Sequence, residues 1–443
     1  MSPPPELLAS ILAKWGNLVP GPDHSKHQVA VVGAGVSGLT AARILQLHGH
    51  SVTLFEREES RSARFQGGTL DIHPKTGQVA LELAGLTKEF RALARPEGEE
   101  MRIVDKHATT HHADEVQEAP APGAQGARDR PEVDRGQLRQ IMLDSLDAGT
   151  VAWGSAVQSA ESAEGGSKVR LLFEPGSTSA KKHGNKLFDA IIGADGAWSR
   201  IRSVLSPAKP EYTGTVSIEL SITDVDNRYP EIASLVGQGT LHALQDKKAL
   251  IPQRNSGGNI RTYAWLPVPL SWPEDTGIAS MSPADASAYL RANVFSDWSP
   301  RLLALLDASA ASAAEAGGAP YPVRSLFALP SPHAWETFPG GRITIVGDAA
   351  HLSFPNGEGA NLAMLDGAEV ALAIASARDS AMLGRNIAEF EKGMMERGVK
   401  SSAKGVFMRE NFIFHANGAA GAVEFFRKMA SGPQPGAAPQ QGQ

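Results

Sequence analysis

The chain has 443 residues, 42% hydrophobic and 20% charged, and its 48 acidic against 42 basic side chains give a formal charge of −6. That length accommodates two or three domains with a sizeable core, and the charge balance creates no field that would draw the chain to nucleic acid or to an anionic membrane. The absence of cysteine excludes a disulfide framework, a thiolate metal site and a cysteine nucleophile.

Residues 1–26 read as an N-terminal extension: Pro3, Pro4 and Pro5, a short amphipathic stretch around Leu7, Leu8, Ile11 and Leu12, then the loop Pro20, Gly21, Pro22. The apolar run is cut by Lys14 and lacks the basic start of a signal peptide, so a soluble, cytoplasmic protein is expected. From Gln28 to Val32 a fully apolar strand enters a glycine-rich turn, followed by a helix through Leu39, Ala42 and Leu45 and an alternating strand Ser51–Glu56. This is a βαβ opening. The segments 117–128, 159–167 and 174–186 read as surface loops or hairpin tips. Between about 205 and 325 the strands alternate, as in 216–223 and 260–267, which predicts a mostly antiparallel second domain. A parallel-type strand over 342–346 returns the chain to the first domain, helical periodicity runs from 361 to 429, and a tail rich in Gly, Pro and Gln follows, read as disordered. The expected division is a discontinuous first domain over 27–82, 125–204 and 323–370, a second over 83–124 and 205–322, a C-terminal helical segment over 371–431, and a tail over 432–443.

The first turn is G-x-G-x-x-G: Gly33 for the tight turn, Gly35 for close approach of a pyrophosphate, Gly38 for packing of helix on strand. Helix N–H groups and the helix dipole then face the phosphate. Glu56 ends the next strand 18 residues after Gly38, where its carboxylate can accept ribose hydroxyls. The fingerprint predicts a dinucleotide and does not choose NAD from FAD. Two later turns narrow the choice. Gly347-Asp348-Ala349-Ala350-His351 follows an apolar strand and leads to Pro355, Gly357, Gly359 and Asn361 at a helix start; Asp348 can accept from a polyol, and the two glycines let a flat ring lie on backbone. The third, Gly193-Ala194-Asp195-Gly196, is again a strand-to-helix turn, in which Asp195 alone would be a helix cap.

In chain order, with Gly193-Ala194-Asp195-Gly196 second and Gly347-Asp348 last, the three turns resemble the group A flavoprotein monooxygenases, the family of para-hydroxybenzoate hydroxylase. The segments 64–73, 131–139 and 295–298 look like the tetracycline-inactivating flavin monooxygenases and their relatives in secondary metabolism. The resemblance implies an α/β chain with a Rossmann-like FAD-binding domain, a mostly antiparallel substrate domain and a long C-terminal helix. It implies hydroxylation of a hydrophobic, aromatic or polycyclic small molecule with FAD, NADPH or NADH, and O2 through a flavin C4a-hydroperoxide. Glu56 and Arg57 would serve the adenosine end, Arg135 and Arg139 the ribityl and pyrophosphate side, Asp71 the flavin region, Asp195 and Gly196 the second turn, Gly347 and Asp348 the ribityl chain, and Arg64 the nicotinamide cofactor. An exposed ion pair is the other reading of Arg64. No side chain is required as acid or base. Epoxidation, Baeyer–Villiger oxidation or a catalytically silent flavin protein are the alternatives; the W-x-W-x-I-P signature of flavin halogenases is absent.

Two departures bear on the substrate. The loop after Pro355 is one residue shorter than in the family, with Asn356 before Gly357. Glu219 and Thr240 align with a Gln and an Arg that hold tetracycline in the inactivating enzymes. Either Glu219 adds a carboxylate to the substrate sheet, disfavouring anionic tetracyclines, or it points outward in alternation with Ser217 and Ser221. His107, His111, His112 and Asp114 read as a solvated loop, with no metal expected. His351 either positions flavin or oxygen or starts a helix while bonded to backbone. Ser37 and Ser199 lie near no His and Asp pair in sequence, so a serine hydrolase has no support.

Overall fold

The structure, a computed structural model, describes residues 3–15, 26–63, 67–114 and 129–431. The chain divides into two compact units, Met1–Glu99 with Gln117–Thr213 and Leu326–Gly405, and Glu100–Val116 with Gly214–Ser325 and Val406–Gln443.

The first unit is built on a five-stranded parallel sheet in the order Ile343–Ile345, Ala190–Gly193, Gln28–Val32, Ser51–Phe55, Val151–Ala152. The runs that read as unbroken apolar stretches are buried on both faces, as parallel strands between helices must be: Val29, Ala30, Val31, Ile191, Ile192 and Ile345 are fully inaccessible. Helices Val36–Leu47 and Gly359–Ala375 pack so closely that a Cβ on Gly367 would stand 2.2 Å from the Ser37 carbonyl oxygen. A glycine inside a helix costs about 1 kcal/mol, and this contact is why one is kept there. Two antiparallel ribbons complete the unit, Thr69–Asp71 with Glu132–Asp134 and Val157–Ala163 with Lys168–Phe173.

The second unit carries a seven-stranded sheet in the order Val323–Ala328, Glu211–Ile222, Asn259–Leu266, Lys248–Asn255, Thr240–Gln245, Met101–Val104, Thr110–Ala113. Its pairings are antiparallel along the central strands, while Thr240–Gln245 runs parallel to Met101–Val104. One face is the core: Ile218, Leu220, Ile222, Leu250 and Ala264 are fully inaccessible, and helix Pro230–Val236 packs on that side. The other face keeps Glu219, Tyr263, Trp265 and Gln253 partly open.

The α/β architecture is as expected, with a 29-residue helix Ser380–Met408 near the C-terminus. Boundaries differ. Residues 83–99, assigned to the second domain from sequence, pack in the first unit because Leu86 and Phe90 belong to its core. The segment 371–405 is likewise part of that core through Leu383, Ile387, Phe390 and Met394. The N-terminal amphipathic stretch is the helix Pro5–Lys14, whose Ile11 is buried in the same core together with Trp15. The segment 159–167 is mostly strand, with its tip at Glu164–Gly166, and helix Thr178–His183 interrupts the loop expected over 174–186. The loop 117–128, Pro20–Gly21–Pro22 and the tail after Ser431 lie outside the described residues.

Candidate functional site

The glycine turn sits at the end of its parallel strand. Gly33 has φ +105°, its N–H donates to Phe55 O at 2.8 Å, and a Cβ there would stand 2.3 Å from Ala194 O. A Cβ on Gly38 would stand 2.1 Å from Gly33 O. Gly35 behaves differently: it is the N-cap of helix Val36–Leu47, and nothing lies within 4 Å of a Cβ placed on it. Two glycines are therefore demanded by packing, while the third leaves room against a helix N-terminus, which is what an approaching pyrophosphate needs.

Glu56 is buried with both carboxylate oxygens held, Oε2 by the Ala34 N–H at 2.7 Å and Oε1 by the Glu58 N–H at 3.0 Å. Its carboxylate is thus aimed at the turn. Arg139, expected on the ribityl and pyrophosphate side, is 4% exposed, donates through Nε to Ala34 O at 3.1 Å and through Nη1 to Arg61 O at 3.1 Å, pairs with Glu58, and lies over the Trp153 ring. It braces the turn through backbone carbonyls. Arg57 and Arg135 are exposed, the latter on the first turn of helix Arg135–Asp144. Arg64 lies outside the described residues.

The second cluster joins residues far apart in sequence. Asn361, 1% exposed, accepts from the His73 N–H at 2.7 Å and donates to Asp71 O at 2.8 Å. His73 Nε2 donates to Asp71 Oδ2 at 2.7 Å, and Gly357, with φ +79°, presents its Cβ position 3.9 Å from Asp71 Oδ1. Asp71, Gly357 and Asn361 are thereby brought together, and Gly359 opens the helix beside them with free space at its Cβ position. In the shortened loop Pro355 is exposed, and Asn356 donates to Ser401 O at 2.8 Å while accepting from the Glu358 N–H at 2.9 Å. Asn356 thereby makes a polar tie to the long helix.

Asp348 starts the short helix Asp348–His351 at the end of a parallel strand, with its carboxylate exposed. Gly347 puts this turn against the first one: its Cβ position is 3.3 Å from Ser37 Oγ. Asp195 is spent on its own turn, accepting from Ser199 Oγ at 2.5 Å and from the Arg200 N–H at 2.7 Å. It ties the turn that precedes helix Arg202–Leu205 and is not that helix's cap, while Gly196 leaves open space at its Cβ position.

Two buried groups, Asp366 and Glu132, were not singled out from sequence. His351 Nε2 meets Asp366 Oδ2 at 2.5 Å, and Asp366 also accepts from the Gly347 N–H at 3.2 Å and from Arg397 at 3.2 Å. Arg397 continues to Glu369 at 2.7 Å. Burial alone would depress His351, but the Asp366 charge beside it outweighs this and raises its pKa; burial pushes Asp366 up, and His351 with Arg397 bring it below the usual range. Glu132 stands directly opposite Asp71 in the ribbon register. Burial pushes its carboxyl up to about 8, against the Thr69 hydroxyl, which donates to it at 2.5 Å; the Asp71 charge adds to the rise.

In the second unit the carboxylate that Glu219 adds to the sheet is ion-paired. Its Oε2 meets Arg261 Nη1 at 2.7 Å and its Oε1 meets Arg324 Nε at 2.7 Å. It points to the half-open face, in one row with Tyr263, and Thr240 lies in the next row, opposite Gln253, whose Nε2 donates to its hydroxyl at 3.3 Å. Two guanidiniums on this face cancel the argument that Glu219 repels anionic substrates. His112 and His111 are fixed on the edge strand Thr110–Ala113, each hydrogen-bonded to its own aspartate, Asp114 at 3.1 Å and Asp105 at 3.2 Å, and are not in a loop. His242, on the half-open face, is pushed down to about 4 by burial and meets the Phe412 ring at 5.2 Å.

Residues 26–301 match the family model described as FAD binding domain. The monooxygenase penA of Penicillium thymicola is 30% identical over 380 residues, covering 78% of this chain and 84% of that protein. Among solved structures, Klebsiella pneumoniae HpxO complexed with FAD and uric acid superposes with a TM-score of 0.69 at 20% identity, covering 86% of this chain and 88% of the other. The tetracycline destructase Tet(51) gives 0.62 at 20% identity, covering 94% and 99%.

Proposed function

Because the chain belongs to the FAD-binding-domain family of FAD-dependent monooxygenases, we propose that it uses NADPH or NADH to hydroxylate a hydrophobic aromatic or polycyclic small molecule. The observation that carries this reading is the convergence, in one unit, of turns more than 300 residues apart in the chain: the Gly347 turn lies against Ser37 of the first glycine turn. The residues fit FAD. Gly35 and the N-terminus of helix Val36–Leu47 would take the pyrophosphate, Glu56 the adenosine ribose, Asp348 the ribityl hydroxyls, and Gly357 and Gly359 the ring, with Asp71 and Asn361 holding that loop in place. Bound FAD supplies the redox and oxygen-activating chemistry. The protein's own groups orient the substrate and exclude water, and no side chain is assigned as an obligatory acid or base. Thr240 and the Glu219 row line the proposed substrate face. We place the protein in the cytoplasm; among the described residues no helix is long and apolar enough to cross a membrane.

Denaturing the purified protein should release a yellow supernatant identified as FAD, because the glycine turns hold it non-covalently; with no cysteine, only a histidyl or tyrosyl link could make it covalent. Recovery of FMN, or colourless protein that cannot be reconstituted, overturns the reading. NADPH-driven oxygen uptake that accelerates with an aromatic substrate separates an active enzyme from a silent flavin protein. Arg64→Ala is expected to slow flavin reduction by NADPH while leaving FAD bound, since a fixed cation suits the 2′-phosphate. Unchanged reduction kinetics in stopped flow return Arg64 to an ion pair.

A further inference from the structure

Thr69 has one hydroxyl hydrogen and two oxygens within its reach, Glu132 Oε2 at 2.5 Å and Val133 O at 3.2 Å. Arg95 Nη2 donates to the same hydroxyl at 3.0 Å. When Glu132 is ionised the hydrogen goes to it, and the Val133 contact has none. A proton on Glu132 reverses that bond: the acid donates to the hydroxyl, the hydroxyl donates to Val133 O, and all three contacts hold at once. The surroundings favour the acid as well. Asp71 stands directly opposite Glu132, and Asp134 lies two residues along the strand, opposite Thr69. Arg95 is committed to Asp134 and Thr69, both at 3.0 Å, and His73 to Asp71. The turn Pro96–Glu99 closes over Glu132 so tightly that a Cβ on Gly98 would stand 2.7 Å from the Glu132 Cβ. That turn adds two carboxylates, Glu97 and Glu99, and no cation. Burial and like charge thus both oppose ionisation at Glu132.

The opposite strand, Thr69–Asp71, reaches the proposed flavin loop. Asp71 O accepts from Asn361 Nδ2 at 2.8 Å, and the Cβ position of Gly357 is 3.9 Å from Asp71 Oδ1. Ionising Glu132 would set two like charges face to face across the ribbon and withdraw the hydrogen from Val133 O. We propose that FAD binding is linked to one proton on Glu132: the neutral acid holds strand Thr69–Asp71 where the Gly357 loop receives the flavin, and loss of that proton to solvent loosens the hold. This rests on the reading of that loop as the flavin site. Glu132 is a positioning residue, acting through Thr69 and Asp71. Linkage fixes the sign. FAD prefers the protonated chain, so its Kd is flat at low pH and rises as the acid ionises, by at most about tenfold per pH unit for one proton.

The test dilutes the FAD-loaded full chain at pH 6.5, 7.5, 8.5 and 9 and obtains Kd from the fluorescence of released FAD. The wild-type Kd should rise at least about tenfold across this range. In Glu132→Gln the amide donates to Thr69 as the acid does and cannot ionise, so the rise should shrink below about threefold. A flat wild-type Kd, or a rise that persists in Glu132→Gln, overturns the inference. A second measurement needs no substitution: the infrared spectrum of the wild-type holoprotein should contain the carbonyl stretch of a protonated carboxylic acid at pH 6.5, and its absence there also overturns the inference. The two readings fail separately. A chain that binds no FAD refutes the proposed function, whereas a yellow chain whose FAD retention ignores pH refutes only this inference.

Discussion

Asp366→Asn should destabilise the first unit by about 3 to 5 kcal/mol, the range for removing one partner of a buried ion pair. Asp366 is fully inaccessible and answers to three donors, His351, Arg397 and the Gly347 N–H. The substitution keeps the shape and removes the charge. Arg397 retains Glu369, but His351 keeps its burial, which favours the neutral ring, against only the smaller pull of the Asp348 charge and a backbone hydrogen bond. The pH dependence follows in sign. His351 has a raised folded pKa, so its contribution is full below the unfolded value near 6.5 and is lost as pH rises through the folded one. In the variant that loss should shrink. Urea midpoints at several pH values measure both effects, and a variant within about 0.5 kcal/mol of the wild type at every pH would refute the network's role. Because Asp366 also fixes the Gly347 amide beside Asp348, weaker FAD retention is expected alongside the lower midpoint.

This network shows where sequence reasoning stopped. Parallel strands declare themselves because burial on both faces forbids polar residues, and Gly33 and Gly38 are legible because no other residue passes the Ala194 and Gly33 carbonyls. Asn361 and Asp71 were found through a resemblance, and their mutual hydrogen bond could not be, since 290 residues separate them. Asp366 sits in a helix that is otherwise apolar around it, Leu-Asp-Gly, with no periodic sign of its partner. Its meaning depends on His351 one turn away in space and on Arg397 from a third helix. The pairing of Glu219 was hidden for a related reason. Alternation along Glu211–Ile222 established which residues share a face, but register decides charge pairing, and Arg261 and Arg324 arrive from two neighbouring strands. Arg139 was placed on the ribityl and pyrophosphate side through a resemblance, and its bonds to Ala34 and Arg61 were hidden because sequence says nothing about which carbonyls a guanidinium meets. The boundary at 99/100 in place of 82/83 was hidden because helix Thr87–Leu93 offers a single large core residue, Phe90.

Glu132 leads to the second large effect, and its sign is opposite to that of an ordinary ion-paired carboxylate. Burial pushes its folded pKa up to about 8, the Thr69 hydroxyl and Arg95 pull it back, and Asp71 and Asp134 raise it further. Unfolded, the group returns to the usual value near 4.5. Between these values the folded chain holds a proton that the unfolded chain has released, so stability falls as pH rises, by about 1.4 kcal/mol per pH unit for one proton. The contribution is full below 4.5, is lost progressively to about 8, and is flat above. Glu132→Gln keeps a polar group beside Thr69 and cannot ionise. Every other titrating group is common to both proteins and cancels in the difference. The variant is therefore expected to be close to the wild type, or slightly less stable, at pH 5, and to become the more stable of the two as pH approaches 8. Paired urea unfolding at pH 5, 6, 7 and 8 measures this directly. Parallel stability curves across that range would mean that Glu132 is ionised in the folded protein, and that the ribbon pairing Asp71 with Glu132 holds two charges where the structure assigns one charge and one proton.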